Sequence, residues 1–249
     1  MENLQNKAVL ITGGSSGLGK ALVQELVQLG AHITVIARNA AKLEEIKQMN
    51  VNVISGDATD PVFMGQVMGE LRPAVTILNA GATPVMGALD ELLWEDFSTV
   101  WNTDVKAGLH GIQSALKASL RRGSRVLVVS SGAAMRGAPL SGSYAGAKHM
   151  LGLMVQYANQ ISYQKDLGIV FQTIVPLQMI GETALAQCVA SAYIKGSDLT
   201  PEQYIAQRYG HPLSAQRYAE LVGTLLTNPV CMKGTAYGIH HDTGVTALD

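Results

Sequence analysis

The sequence has little of what a disulfide scaffold, a membrane span or a nucleic-acid surface requires. Its two cysteines, Cys188 and Cys231, stand apart rather than in CxxC pairs, which fits a reducing cytoplasm better than a disulfide framework or a zinc site. No apolar run approaches membrane-spanning length, and the polar start from Met1 to Lys7 has no cationic leader. The 18 Lys and Arg are scattered among 19 Asp and Glu, without a basic stripe or an acidic tail. We therefore expect a cytoplasmic protein that binds neither nucleic acid nor membrane.

What the chain does have is apolar residues in abundance, since 47% of its 249 residues are hydrophobic. Runs typical of strands alternate with helical patterns, and the strand runs are apolar almost throughout, as in strands buried on both faces. This order predicts an α/β fold: a doubly wound (Rossmann-type) parallel sheet of about seven strands with helices on both faces. The predicted strands are Ala8–Thr12, Ile33–Ala37, Val51–Ser55, Val75–Asn79, Arg125–Ser130, Ile169–Val175 and Thr235–His240. The predicted helices are Gly17–Leu29, Ala40–Met49, Pro61–Leu71, Trp94–Leu120 and Tyr144–Tyr163.

We assign residues 1–249 to a single domain, because no linker or repeat interrupts this layout. One stretch is irregular: Pro176 to about Pro212 contains several Gly and Pro residues and short helical patterns. Within it we interpret residues 181–212 as a mobile substrate lid, and the alternative is a surface insertion. Ligands of doubly wound sheets bind beyond the carboxyl ends of the strands, so the site is expected there.

A glycine-rich turn joins the first predicted strand to the first predicted helix. Glycine permits a tight turn and close approach of a phosphate, and a helix N-terminus supplies free N–H groups and positive potential. Strand, turn and helix in this order predict a pyrophosphate-binding site. The predicted contacts are Gly13, Ser15, Ser16, Gly17, Leu18 and Gly19.

The end of the second predicted strand reads Ala37-Arg38-Asn39. An acidic residue at this place would accept hydrogen bonds from the 2′-hydroxyl of a ribose, whereas a cation favours a 2′-phosphate. We therefore predict NADP(H) over NAD(H), with Arg38 and Asn39 at the cofactor. The alternative leaves Arg38 as a solvated loop cation.

Tyr144 and Lys148 are four residues apart in a helical pattern, which puts a phenol and an ammonium on one face. A phenol with a pKa of about 10 needs roughly 4 kcal/mol of preferential stabilisation of the phenolate to ionise near neutral pH. A neighbouring cation supplies such stabilisation. The same spacing also occurs by chance on solvated helices, so it becomes informative only alongside the other motifs.

Together these motifs resemble the short-chain dehydrogenase/reductase superfamily along essentially the whole chain. The matching residues are Thr12-Gly13-x-x-x-Gly17-x-Gly19, Asp57, Asn79-Ala80-Gly81, Ser131 and Tyr144-x-x-x-Lys148. The resemblance implies that Asp57 contacts the adenine, that Asn79-Ala80-Gly81 stabilises the sheet beside the cofactor and that Lys148 bonds the nicotinamide ribose. It also implies that Tyr144 gives a proton to a carbonyl oxygen, which Ser131 polarises, as hydride arrives. Ala58 and Pro176 complete the predicted cofactor contacts.

Ser130 competes with Ser131 for the polarising role. Strand alternation points the two side chains in opposite directions, and the family's spacing to the tyrosine favours Ser131. We expect Ser130 to be a packed hydroxyl.

Asp104 departs from the family, which usually places an asparagine there to help hold a water relay. A carboxylate about 4 Å from the phenol is worth roughly 4 kcal/mol at an effective dielectric of 20, enough to oppose the activation of Tyr144. Three arrangements avoid this: the carboxyl is protonated, Lys148 neutralises it, or only the backbone carbonyl holds the water. Asn102 is no substitute, because two residues turn a helix by about 200°. We expect Asp104 to act in catalysis by shifting the pH optimum.

The loop after the sixth predicted strand also departs, with Pro176-Leu177 where the family commonly has Pro-Gly. Contacts from Met179 to a carboxamide and from Thr183 to phosphates are weaker expectations. Arg208, Tyr209 and His211 are candidates for binding an acidic or phosphorylated substrate group, although a solvated loop is the favoured interpretation. His240 and His241 should point apart along a strand, so no shared metal is expected.

These residues support an NADP(H)-dependent oxidoreductase that interconverts a ketone or 3-oxo group and a secondary alcohol of a small molecule. One alternative is a reductase of 3-oxoacyl chains on a carrier protein, which would need a basic docking patch that the sequence does not display. The other is a non-catalytic NADP(H)-binding sensor or scaffold, suggested by Asp104 and the altered loop. The resemblance further implies a homodimer or homotetramer.

Overall fold

Apolar strands and amphipathic helices alternate along residues 3–181, 183–210 and 212–249, the part of the chain that the computed structural model describes. Within these residues the strands form one sheet of eight. They are β1 (Ala8–Thr12), β2 (His32–Ala37), β3 (Asn52–Ser55), β4 (Val75–Leu78), β5 (Arg125–Val129), β6 (Val170–Pro176), β7 (Ala236–His240) and β8 (Gly244–Ala247).

The strand order is β3-β2-β1-β4-β5-β6-β7-β8. The strands from β1 to β7 pair in parallel, whereas β8 pairs antiparallel with β7. The order reverses between β1 and β4, which opens a crevice at their carboxyl ends. The doubly wound fold predicted from the sequence is confirmed, and the unpredicted β8 adds an antiparallel edge.

Ten α-helices lie within the described ranges, and none of them is long and apolar enough to cross a lipid bilayer. They are α1 (Gly17–Gln28), α2 (Ala40–Lys47), α3 (Pro61–Leu71), α4 (Trp94–Val100), α5 (Lys106–Lys117), α6 (Ala133–Arg136), α7 (Gly142–Gln164), α8 (Ala184–Tyr193), α9 (Pro201–Tyr209) and α10 (Ala215–Thr227).

The sheet is covered on both faces. One core cluster packs α1 and α10 on the sheet through residues such as Leu22, Leu26 and Val222. The second packs α3, α5 and α7 on the opposite face through residues such as Met64 and Leu151. Burial on both faces explains why the central strands carry almost only apolar side chains.

Arg125 is a buried charge within this core, only 1% exposed. Its Nε donates to Gln172 Oε1 at 2.9 Å, and its Nη1 donates to the carbonyls of Leu225 and Leu226, each at 3.2 Å. These carbonyls belong to the last turn of α10, whose partial negative charge favours a cation. Its Nη2 donates to the Cys231 carbonyl at 3.3 Å. Arg125 thus joins the amino ends of the strands to the end of α10.

The predicted helix Trp94–Leu120 forms as a continuous helical run from Trp94 to Lys117, in which a π-helical turn, Trp101–Val105, separates α4 from α5. The wider turn carries Asp104 into the interior, where both of its carboxylate oxygens find partners. α10 was not predicted at all. In the predicted lid, residues 182 and 211 lie outside the described ranges, and the remainder contains α8 and α9.

Candidate active site

A cavity of about 1540 Å³ lies at the carboxyl ends of the parallel strands. All but one of the residues predicted for the site line this cavity. They are Gly13, Ser15, Ser16, Gly17, Leu18, Arg38, Asn39, Asp57, Ala58, Asn79, Ala80, Gly81, Asp104, Ser131, Tyr144, Lys148 and Pro176.

The glycine turn adopts positive φ, which favours glycine, at two points. Gly13 has φ of 69°, and a Cβ there would lie 2.8 Å from the Cα of Ala80. Gly17, at the first position of α1, also has positive φ, 51°. Gly19 is the exception to the cavity lining, because it is buried behind the turn against the carbonyl of Gly13. Its place indicates packing of α1 onto the turn rather than a direct ligand contact.

Asn79 ties the end of β4 to the glycine turn. Its Nδ2 donates to the carbonyls of Thr12 and Gly13, each at 3.2 Å. In return, Thr12 Oγ1 accepts from the backbone N–H groups of Asn79 and Ala80, each at 3.1 Å. These bonds hold the two strand ends that flank the crevice.

Two cations lie at the end of β2. Arg38 and Lys42 both line the cavity, and the Asn39 side chain caps α2 by accepting from the Lys42 N–H at 3.0 Å. Sequence reasoning found Arg38 and missed Lys42, although a lysine in the first turn after a capping residue was a usable signal. The cavity therefore has two positive side chains beside the free N–H groups of a helix N-terminus.

Asp57 lies across from this pair. Its Oδ1 accepts from the Thr59 N–H at 2.9 Å. That backbone bond is the main reason that the pKa of Asp57 is lowered, with Arg38 and Lys106 adding to it. The carboxylate is thus held ionised as a hydrogen-bond acceptor facing the cavity.

Tyr144 and Lys148 lie one turn apart near the start of α7, and both side chains line the cavity. The Lys148 Nζ is 5.5 Å from the centre of the Tyr144 ring. It also donates to the carbonyl of Val129, at the end of β5, at 3.3 Å. The helix face predicted from the four-residue spacing is therefore turned toward the carboxyl edge of the sheet.

Asp104 meets Lys148 from the π-helical turn. The Lys148 Nζ lies 2.9 Å from Asp104 Oδ2, and the two side chains are 7% and 1% exposed. The other oxygen, Oδ1, accepts from the Ala82 N–H at 2.8 Å. Burial alone would lower the pKa of Lys148, but Asp104 and Tyr144 outweigh it and the pKa is raised. Of the three arrangements open to Asp104, the structure shows neutralisation by Lys148.

The two serines after β5 point in different directions. Ser130 is 4% exposed, and its Oγ donates to the carbonyl of Lys148 at 2.8 Å, as expected for a packed hydroxyl. Ser131 is more exposed, and its Oγ accepts from the Ala133 N–H at 3.2 Å. A hydroxyl has a single hydrogen, and this arrangement leaves that of Ser131 available to donate.

Leu177 lies where the family pattern has glycine. Its larger side chain fits because the neighbouring position on β7, Gly238, has no side chain. A Cβ on Gly238, in β7, would lie 2.7 Å from Leu177 Cδ1. The Leu177 side chain thus lies over Gly238 at the cavity wall. Beside it, Gln178 Oε1 accepts from the His241 N–H at 2.7 Å, which fixes the loop to the end of β7.

α8 and α9 form the far wall of the cavity. Ala186, Ala190 and Ile205 make a small core between the two helices. The Tyr193 hydroxyl accepts from the Leu140 N–H at 3.5 Å, which links α8 to the segment before α7. Arg208 and Tyr209 line this end of the cavity, and His211 lies outside the described residues.

Comparison with known proteins relates the chain to dehydrogenases. The cis-2,3-dihydrobiphenyl-2,3-diol dehydrogenase of Rhodococcus globerulus is 31% identical over 173 residues, 65% of this chain and 61% of that relative. The chain thus spans about three fifths of the length of this relative. An uncharacterized oxidoreductase of Listeria monocytogenes is 28% identical over 222 residues, 80% of this chain and 88% of the relative.

Solved structures show the same fold. An actinorhodin polyketide ketoreductase determined with NADPH superposes with a TM-score of 0.81 at 22% identity, covering 98% of this chain and 99% of the other. A short-chain dehydrogenase/reductase mutant from Serratia marcescens gives 0.76 at 20% identity, with 96% and 98% covered. The family model described as short chain dehydrogenase matches residues 7–190, well over half of the sequence. The chain therefore belongs to the short-chain dehydrogenase family of oxidoreductases.

Proposed function

We propose that this protein is an NADP(H)-dependent oxidoreductase that interconverts a ketone or 3-oxo group and a secondary alcohol. The observation that carries the proposal is that Ser131, Tyr144 and Lys148 line the same cavity as the glycine turn. Diol dehydrogenases among the relatives support chemistry at a CH–OH group.

The residues fit a dinucleotide. Gly13 lets the turn pack against the backbone of Ala80, and nothing lies within 4 Å of a Cβ built on Gly17, so the first turn of α1 is open to a phosphate. Arg38 and Lys42 supply positive charge suited to a 2′-phosphate, which supports NADP(H) over NAD(H). The ionised Asp57 is suited to accept from an adenine amino group.

Each catalytic residue has a distinct task. When bound, the nicotinamide supplies or accepts the hydride. Tyr144 gives its phenolic proton to the carbonyl oxygen in reduction and takes it back in oxidation. Ser131 donates its free hydrogen to the same oxygen and stabilises the negative charge that develops there. Lys148 stabilises the phenolate of Tyr144 and would hold the ribose of the cofactor.

The test measures NADPH consumption across a panel of carbonyl compounds with the unmodified protein, Tyr144→Phe and Tyr157→Phe. Tyr157 lies on the same helix, is 51% exposed and does not line the cavity, so its variant controls for loss of a hydroxyl. We expect turnover to fall by at least about 100-fold in Tyr144→Phe only, the size of general acid catalysis. Equal turnover in all three proteins would contradict the assignment.

A second function is favoured by one observation, the ion pair between Asp104 and Lys148. A lysine whose charge is compensated stabilises a phenolate less, as in a cofactor-binding sensor or scaffold without turnover. Tight NADPH binding with no reduction of any carbonyl, together with activity gained in Asp104→Asn, would support the sensor. A cytoplasmic location, assembly into a homodimer or homotetramer and movement of residues 181–212 as a lid stay predictions.

A further inference from the structure

The end of the cavity away from the glycine turn is aromatic. Tyr193, Tyr204 and Tyr209 all line it, within a chain of only 5% aromatic residues. The rings of Tyr193 and Tyr204 stack with centroids 5.9 Å apart and planes 11° from parallel. Tyr204 and Tyr209 also pack against the small core between α8 and α9, so their positions are fixed by buried side chains. Such rings form a firm surface for a flat, unsaturated group.

The same end is positively charged. Arg208 lies there on α9 beside Tyr204, Arg136 also lines the cavity, and among the described residues the only carboxylates that line the cavity are those of Asp57 and Asp104. Of these two carboxylates, Asp57 lies near Arg38 and accepts from Thr59, whereas Asp104 is paired with Lys148 beside Tyr144. Neither arginine forms an ion pair with a described residue.

Arg208 is the better placed of the two arginines. Arg136 already donates to the Leu177 carbonyl at 3.2 Å. Arg208 lies on α9, one turn from Tyr204. Burial raises the pKa of Tyr204, as do Tyr209 and Tyr193, whereas Arg208 lowers it, which agrees with a cation beside the tyrosines. Its guanidinium is exposed and is free of described carboxylates, so it can take a carboxylate in a two-point contact.

We propose that the substrate is an aromatic acid that carries a ketone or a secondary alcohol. The ring packs against the tyrosines of α8 and α9, the carboxylate binds Arg208, and the oxygen to be reduced or oxidised lies at Ser131 and Tyr144. Only the placement of the reacting oxygen at Ser131 and Tyr144 rests on the proposed function. The binding of the ring and the carboxylate is argued from the positions of the tyrosines and Arg208 alone.

The test compares 4-acetylbenzoate with 4-acetylbenzamide, which has the same shape without the charge. Calorimetric titration into protein saturated with NADP⁺ measures binding alone, because the oxidised cofactor cannot reduce the ketone. The proteins are the unmodified chain, Arg208→Gln and Lys195→Gln. Lys195 is an exposed cation just after α8 that does not line the cavity, so its variant matches the change in charge.

We expect the acid to bind the unmodified protein about 10-fold or more tightly than the amide, the effect of one charge-assisted contact. This preference should disappear in Arg208→Gln and persist in Lys195→Gln, and Arg208→Lys should restore part of it. Equal affinities in the unmodified protein, or a preference that survives Arg208→Gln, would overturn the inference. A preference lost in Arg136→Gln instead would also overturn it.

The reduction of both ketones by NADPH is measured in parallel. A charge preference in binding without reduction of either ketone would count against the proposed function and leave the anion site intact. Reduction of both ketones with equal kcat/KM would count against the anion site and leave the proposed function intact.

Discussion

The carboxylate of Asp104 lies 2.9 Å from the ammonium of Lys148, and the two side chains are 1% and 7% exposed. The resemblance assigns Lys148 the task of stabilising the phenolate of Tyr144, so a carboxylate at this distance opposes that task. The same carboxylate raises the pKa of Lys148 against the effect of burial and keeps the ammonium charged. Asp104 therefore favours the charged form of Lys148 while weakening the field of that cation at the phenol.

We expect Asp104→Asn to shift the pH–rate profile of alcohol oxidation to lower pH. The neutral amide no longer opposes the phenolate of Tyr144, so the active base forms at a lower pH. A shift of about one pH unit corresponds to about 1.4 kcal/mol of removed repulsion. The measurement is kcat/KM from pH 6 to 10, with Asp90→Asn, an exposed carboxylate outside the cavity, as the control. An unchanged pH–rate profile in Asp104→Asn would contradict the electrostatic effect of Asp104 on the phenolate of Tyr144.

The buried ion pair should also make stability depend on alkaline pH. The folded-state pKa of Lys148 is raised above its ordinary value of 10.5, so its contribution to folding is fully present below about pH 10.5 and is lost as the pH rises through the folded value. Urea unfolding between pH 8 and 12 should therefore show a steeper loss of stability for the unmodified protein than for the double variant Asp104→Asn/Lys148→Met. Parallel curves for the two proteins would contradict this linkage.

Arg38→Ala and Lys42→Ala should each weaken NADP⁺ binding by about 10-fold or more, since a hydrogen bond to a charged group contributes about 1.5–3 kcal/mol. NAD⁺ binding should change little, because NAD⁺ lacks the 2′-phosphate. Lys47→Ala, on the same helix and outside the cavity, is the matched control. Fluorescence titration gives the dissociation constants of NADP⁺ and NAD⁺ for each variant. An equal loss of affinity for both cofactors would argue against a 2′-phosphate contact.

Arg125→Met should destabilise the fold by about 3 kcal/mol or more. The methionine fills part of the space but leaves buried acceptors on Gln172, Leu225 and Leu226 without a donor, at about 1–3 kcal/mol for each unsatisfied group. Arg121→Met, at an exposed position nearby, should change stability by no more than about 0.5 kcal/mol. Urea unfolding curves of the two variants give the comparison, and a stability loss no larger than in the control would show that the carbonyls find other partners.

Strands and motifs with strong local signals were predictable from the sequence. Seven apolar runs gave the parallel strands, and glycines and polar residues at their carboxyl ends gave most of the cavity. β8 was missed because four residues beginning with Gly244 carry little apolar alternation. α10 was missed although its buried face is strongly apolar, so the pattern was present in the sequence and was overlooked.

Contacts between distant segments were not predictable in the same way. The sequence left three arrangements open for Asp104, because the choice depends on where the π-helical turn directs its side chain. The stacking of Tyr193 on Tyr204 was also hidden, since the two rings come together only when α8 folds onto α9, although the sequence did mark Arg208 and Tyr209 as candidates for an acidic group. Pairings of this kind depend on tertiary packing, which local propensity does not encode.

The contact between Leu177 and Gly238 has a consequence for redesign. The Leu177 side chain occupies the space beside Gly238, so these two residues together set the position of the cavity wall. A change at either position should therefore shift that wall. Shortening Leu177 would deepen the chamber without touching the proton donor, and enlarging Gly238 would push the wall inward. The size of ligand admitted can thus be changed independently of the groups that perform the chemistry.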